Sequence, residues 1–170
     1  TLILPANTAW SEASNPVVST PPLAPGVPKR EAVEQAAKTL LSGEPTGLYL
    51  KGGVLREPGI TLAGKIAAKT GCALYAPTSN ARIDRGAGRV AIERVPYVVD
   101  KAVARLAHLK HIIGIGDAEP VAFFAYPKKP SRIVQKDCRV QHLSSFDQDG
   151  TRTLEMLVEA LDAQNEVPTV

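Results

Sequence analysis

A chain of 170 residues with 44% hydrophobic and 22% charged side chains suits one globular domain with a sizeable core and leaves little room for two. Its formal net charge of +3 is small and scattered, which argues against a nucleic-acid partner. No apolar run approaches the roughly 20 residues of a membrane span, and the two cysteines, Cys72 and Cys138, have neither metal-type nor redox-type spacing, so a reduced, cytoplasmic setting is expected with both thiols buried.

In chain order, Thr1-Leu2-Ile3-Leu4-Pro5 reads as the tail of a buried strand, without an initiator Met or a signal segment, and predicts a fragment of a longer protein. Residues 14 to 28 carry Pro16, Pro21, Pro22, Pro25 and Pro28, which remove backbone donors and favour an extended, semi-rigid linker. Helical and strand patterns then alternate. Val33, Ala36, Ala37, Leu40 and Leu41 form one apolar stripe of a helix ending near Gly43. Gly47-Leu48-Tyr49-Leu50 is a short buried strand stopped by Gly52-Gly53. A second helix follows Pro58, carries Leu62, Ala63, Ile66 and Ala67, and ends at Gly71. Cys72 to Tyr75 is the next strand, and residues 77 to 96 are a basic, Gly-containing loop. Pro96 opens a third helix with Val99, Val103 and Leu106; His111 to Ile115 is a strand, with two further short strands expected around Arg132–Gln135 and Arg139–Leu143. The last helix presents Leu154, Leu157, Val158 and Leu161, and the tail from Gln164 is expected to fray.

Alternating strands and helices of these lengths predict an α/β fold, a Rossmann-like parallel sheet flanked by helices on both faces in three layers, preceded by the extended Pro-rich linker. The expected divisions are residues 1–13 (a strand tail belonging to an upstream domain), 14–28 (linker), 29–163 (the Rossmann-like domain) and 164–170 (frayed tail).

Ligands of open α/β sheets bind beyond the carboxyl ends of the strands. Gly52 and Gly53, and Gly114 and Gly116 in Gly114-Ile115-Gly116-Asp117, are therefore the candidate cofactor-binding residues. Neither pair has Gly-x-Gly-x-x-Gly spacing, and a tight turn is the reading the residues favour over nucleotide contact; Asp117 can cap the turn before Pro120. Arg82, Arg85, Arg89 and Arg94 can serve a phosphate-bearing cofactor, acidic groups of a neighbouring domain, or a solvated face. His108, His111 and His142 share no metal spacing, and no Ser sits in a nucleophile elbow, so neither catalytic nor metal-binding residues are expected. Phe123, Phe124 and Tyr126, in an apolar stretch, fit either a domain interface or core packing.

The order of Leu2-Ile3-Leu4-Pro5-Ala6-Asn7, the Pro-rich stretch, Gly47–Gly53, His111–Gly116 and Phe146-Asp147-Gln148-Asp149-Gly150 ahead of the last helix resembles the central domain of the acetolactate synthase and benzoylformate decarboxylase family of thiamine diphosphate enzymes. The resemblance implies a non-catalytic central domain of an enzyme, a transferase or lyase, that cleaves or joins carbon–carbon bonds of 2-keto acids. It implies thiamine diphosphate and Mg2+ bound outside this fragment, the N- and C-terminal domains of the same enzyme as partners, and a homo-oligomer, dimer or tetramer. It also places FAD or ADP at Gly52, Gly53, Gly114 and Gly116. The chain departs from the flavin-binding members at Asp117-Ala118-Glu119-Pro120, where they carry an Arg-rich segment, which points to an empty or vestigial site. The alternatives are a free-standing nucleotide-binding module for FAD, ADP or NAD, and a purely structural interaction domain.

Overall fold

The computed structural model describes residues 2–13, 15, 17–116 and 119–170; Thr1, Pro16 and Asp117, each used above, lie outside the described residues, as do Ser14 and Ala118. After a one-turn helix α1 (Ala6–Ala9), the elements are α2 (Arg30–Leu40), β1 (Thr46–Leu50), a 3-10 turn (Gly52–Leu55), α3 (Glu57–Thr70), β2 (Ala73–Ala76), β3 (Glu93–Arg94), α4 (Val99–Leu106), β4 (His111–Ile115), β5 (Arg139–Ser144) and α5 (Gly150–Ala160). Among the described residues the strands form one five-stranded sheet in the order β3-β2-β1-β4-β5, and each neighbouring pair is parallel. The three-layer α/β reading therefore holds.

Alternation along β1 divides the core. Leu48 and Leu50 face the side covered by α2, α3 and α5, against Ala36, Ile66, Leu154 and Leu157. Tyr49 faces the other side, with Val99, Ala102 and Leu106 of α4 and Ile133 and Val134 from the irregular segment after β4. Helix α3 carries Pro58 in its first turn and stops where Gly71 takes a left-handed conformation (φ 73°). No helix among the described residues is long and apolar enough to cross a membrane.

Four segments differ from what the sequence suggests. Leu2, Ile3 and Leu4 pair with no strand among the described residues and are 87%, 83% and 59% exposed, because no second apolar layer of this chain faces them. Arg132–Gln135 is not a strand: Ile133 and Val134 are buried, but the backbone makes one isolated antiparallel bridge, Val121 to Arg132. A short apolar run satisfies burial without entering a ladder. Conversely, the basic loop contains β3, whose Glu93 and Arg94 pair with Tyr75 and Ala76. The tail from Gln164, expected to fray, runs along α3: Lys65 donates to the Gln164 carbonyl (2.5 Å) and Lys69 pairs with Glu166 (3.6 Å).

Candidate functional site

Chain order turns around at β1, whose neighbours are β2 on one side and β4 on the other. In a parallel sheet this is where the loops leaving two strands diverge and open a crevice. A cleft of about 600 Å3 lies there, bordered by Lys51, Gly52, Gly53, Gly116, Ser145 and Asp149, among others. Gly116 follows β4 at φ +87°, and a Cβ on it would stand 2.5 Å from the Lys51 carbonyl oxygen, so the two strand ends meet this closely only with glycine present. Its N–H donates to the Ser144 carbonyl (3.0 Å). Gly52 and Gly53 have nothing within 4 Å of an added Cβ; their backbone is open to the cleft. Three of the four predicted glycines are thus brought together. Gly114 is not with them: it is buried inside β4, paired with Tyr49 on β1 and His142 on β5.

The opposite wall is the start of α5, which sequence reading treated only as a helix. Asp149 is its N-cap, accepting the Arg152 N–H at 2.9 Å. An Asp-Gly pair just ahead of an apolar helical stripe was the available signal. The segment 25–26 also reaches this cleft: Pro25 lines it, and the Gly26 carbonyl accepts the Asp149 N–H at 2.8 Å. Because the Asp149 carboxylate already caps the helix, the positive end of α5 is partly satisfied from within. Lys51 and the Gly52-Gly53 turn are left as the groups suited to an anion.

A second cleft, of about 480 Å3, opens on the α4 side of the same strand ends, between Tyr49, Lys51, Thr78, Tyr97 and Phe123. Lys51 borders both clefts.

Two arginines of the basic loop are engaged within the chain. Arg82 pairs with Asp84 (3.2 Å) and Arg89 with Glu57. The Asp84 carboxylate accepts the Glu57 N–H (3.0 Å) at the start of α3; this bond first, and Arg82 after it, hold its carboxyl below the usual range. Those two arginines fasten the loop to α3 rather than facing either cleft. At β3, Glu93 receives two bonds from Arg105 of α4 (2.6 and 2.5 Å), and the guanidinium lies 5.5 Å from the Tyr75 ring centroid. The Arg105 bonds hold the Glu93 carboxyl down.

The histidines stay apart from the clefts: His111 lies at the amino end of β4, 2.7 Å from Glu44, and His142 is within β5. No group of three or more His, Cys, Asp or Glu side chains able to hold a metal is found among the described residues. Cys72 and Cys138 are buried free thiols. Phe123 and Phe124 are each 56% exposed, and the Tyr126 hydroxyl meets that of Tyr97 at 2.9 Å, so these rings form a surface patch and not core.

Comparison with known proteins follows the same lines. No family model matches the chain. It is 38% identical over 144 residues to a Mycobacterium tuberculosis (strain ATCC 25618 / H37Rv) protein described as "Putative acetolactate synthase large subunit IlvX"; the match takes in 85% of this chain and 28% of that protein. Its fold is similar to a solved structure described as a "putative thiamin diphosphate-dependent enzyme isolated from Mycobacterium smegmatis", with a TM-score of 0.62 and 17% identity over 93% of this chain and 34% of the other. The chain thus spans less than a third of the curated relative's length.

Proposed function

We propose that this chain, which belongs to the acetolactate synthase large subunit-like family, is the central, non-catalytic domain of a longer thiamine diphosphate-dependent enzyme that cleaves or joins carbon–carbon bonds of 2-keto acids. The observation that carries the reading is 38% identity sustained over 85% of this chain but only 28% of the relative. In this reading the sheet holds two flanking cofactor-binding domains in register, in a cytoplasmic homo-oligomer. Thiamine diphosphate supplies the carbanion chemistry when bound, and the protein supplies position and electrostatics.

The residues described in this domain do not fit that cofactor and its Mg2+. A Mg2+–diphosphate pair asks for free carboxylates, whereas at the carboxyl end of the sheet Asp149 caps α5 and Glu119 pairs with Arg132 (2.5 Å). The reading therefore assigns both to the neighbouring domains. The decisive experiment is to read and express the full-length frame. An upstream domain bearing an activating Glu, a downstream Gly-Asp-Gly diphosphate motif, and thiamine-dependent turnover of pyruvate by the whole protein but not by this chain are expected. A frame lacking both flanking domains ends the proposal.

A second reading, a nucleotide-binding module, is favoured by the cleft at the β1–β4 divergence. There the open Gly52-Gly53 backbone and Lys51 suit a diphosphate. Calorimetry of the chain with FAD, ADP and NAD separates the two: micromolar binding supports the module, and no heat supports a scaffold with a vestigial site.

A further inference from the structure

Two exposed surfaces of this chain are left bare by the rest of it, and their chemistry matches. The first is an aromatic cluster on the α4 side of the sheet. Along Tyr97, Phe123, Phe124 and Tyr126 successive ring centroids lie 6.0, 4.7 and 6.2 Å apart, and the residues are 49%, 56%, 56% and 36% exposed. Each ring is braced by its neighbours and still presents a large part of itself to solvent. Between Tyr97 and Tyr126 runs a groove lined also by Val98, Val99 and Pro127. Its two charged residues, Asp100 and Lys129, pair with each other at 2.6 Å, so the groove carries no net charge. Tyr126 donates its hydroxyl proton to the Tyr97 oxygen (2.9 Å), which leaves the Tyr97 proton for an acceptor outside the pair. The turn that carries Tyr126 contains Pro127 and is closed by the Lys129 N–H on the Tyr126 carbonyl (3.2 Å), so the groove is formed before anything docks.

The second surface is the arm that precedes Gly26. No charged residue lies between Glu12 and Lys29. Residues 17–25 are in neither helix nor strand and are all exposed, with Val17, Val18 and Leu23 at 91%, 91% and 95%. Pro21, Pro22 and Pro25 bias this stretch toward the polyproline II helix. That helix has no internal hydrogen bonds, so its carbonyls are open acceptors, and segments of this kind dock in aromatic-lined grooves. The arm is rooted where the Gly26 carbonyl accepts the Asp149 N–H. At about 3.1 Å per residue, residues 17–25 extend about 28 Å from that root.

We propose that the arm of one copy docks in the aromatic groove of a second copy, with Pro21 to Pro25 seated among Tyr97, Phe123 and Tyr126, so that two chains exchange arms in a symmetric dimer. Both partners are uncharged, and donor meets acceptor at Tyr97. The area fits as well. At about 200 Å2 a ring, the exposed parts of the four rings come to about 400 Å2. An arm covering them gives up a like area, and reciprocal exchange doubles the total to about 1,600 Å2, the size of a stable interface. Exchange of an identical element is also a low-cost route to a dimer. The proposal gives an interface to the homo-oligomer of the reading above but does not rest on it, because both halves lie within these residues.

Sedimentation equilibrium of the 170-residue chain comes first. A dimer is expected, with a Kd of about micromolar or tighter. Leu23→Asp charges an arm position that is 95% exposed and so leaves the fold alone. It is expected to weaken the dimer about a hundredfold, since each of two arms loses a buried leucine at about tenfold. The monomer so obtained keeps its groove. A synthetic peptide of residues 15–28, titrated into it, is expected to give saturable shifts of the Tyr97, Val98, Phe123 and Tyr126 amides in two-dimensional NMR. A parent chain that stays monomeric at about 100 μM, far above the Kd of interfaces this size, overturns the proposal; an arm folded onto its own groove gives that result. A dimer that Leu23→Asp leaves intact, or peptide shifts that are absent or confined to other residues, overturns it too, because another surface then joins the copies.

Discussion

Where α2, α3 and α5 lie against the sheet, the interface is closed: Ile60, Ile66, Leu154 and Leu157 are fully buried, and the helices press on one another as well as on the strands. The opposite face has one eight-residue helix, α4, with the irregular segment 119–135 laid beside it. It carries a cleft at its carboxyl end and a row of half-exposed rings, Tyr97, Phe123, Phe124 and Tyr126. The difference teaches that the two faces hold different tasks. Helices with 3.6-residue stripes bury their apolar sides against one face, with a surface groove of about 530 Å3 between α2 and α5 on their outer side, and that face supplies rigidity. A face covered by loop leaves backbone turns and aromatic side chains free to meet something outside the domain.

The contrast can be tested by unequal damage. Leu154→Ala, on the closed face, removes a fully buried side chain from between α5 and the sheet. Denaturant unfolding is expected to show a loss of about 2–5 kcal/mol. Glu93→Gln, at the edge of the open face, breaks the paired bonds to Arg105. Both side chains are more than a third exposed, so the expected loss near neutral pH is about 1 kcal/mol or less. This loss carries a pH signature. The Glu93 carboxyl titrates below its ordinary 4.5 in the folded chain, so its contribution is fully present above that value and disappears as pH falls through the depressed folded one. Parent and variant stabilities, followed by urea unfolding against pH, are expected to converge in acid; a constant gap would refute the linkage. Phe124→Ser, in the exposed patch, is expected to change stability by about 0.5 kcal/mol or less while reducing binding of an apolar dye. A large loss of stability from that substitution would mean the open face is core after all.

Much of the closed face could be read in advance, because Val33-Ala36-Ala37-Leu40 and Leu154-Leu157-Val158 declare both the helix and the side it buries. The parallel sheet followed from strands that are apolar on both faces and separated by helices. The open face resisted for physical reasons. Ile133 and Val134 have strand composition, but their burial comes from a loop folded over α4. Glu93 and Arg94 form a strand with charged side chains, since an edge position asks little of them. At the glycine-lined cleft, Gly52, Gly53 and Gly116 were visible as strand-end glycines. The contribution of Pro25, Ser145 and Asp149 was not, because it arises from distant segments meeting. Tyr49 carried no mark in sequence beyond its place in an apolar run; only the fold shows that its ring ends at an opening.

The hydrogen bond from the Asp149 N–H to the Gly26 carbonyl ties the stretch before it to the start of α5. Proline at 21, 22 and 25 fixes φ at three positions of that stretch and removes three backbone donors. The contact is made at the residue that caps α5 and borders the glycine-lined cleft. Pro25 and Gly26 are therefore part of that wall, although more than a hundred residues of chain separate them from the helix they touch.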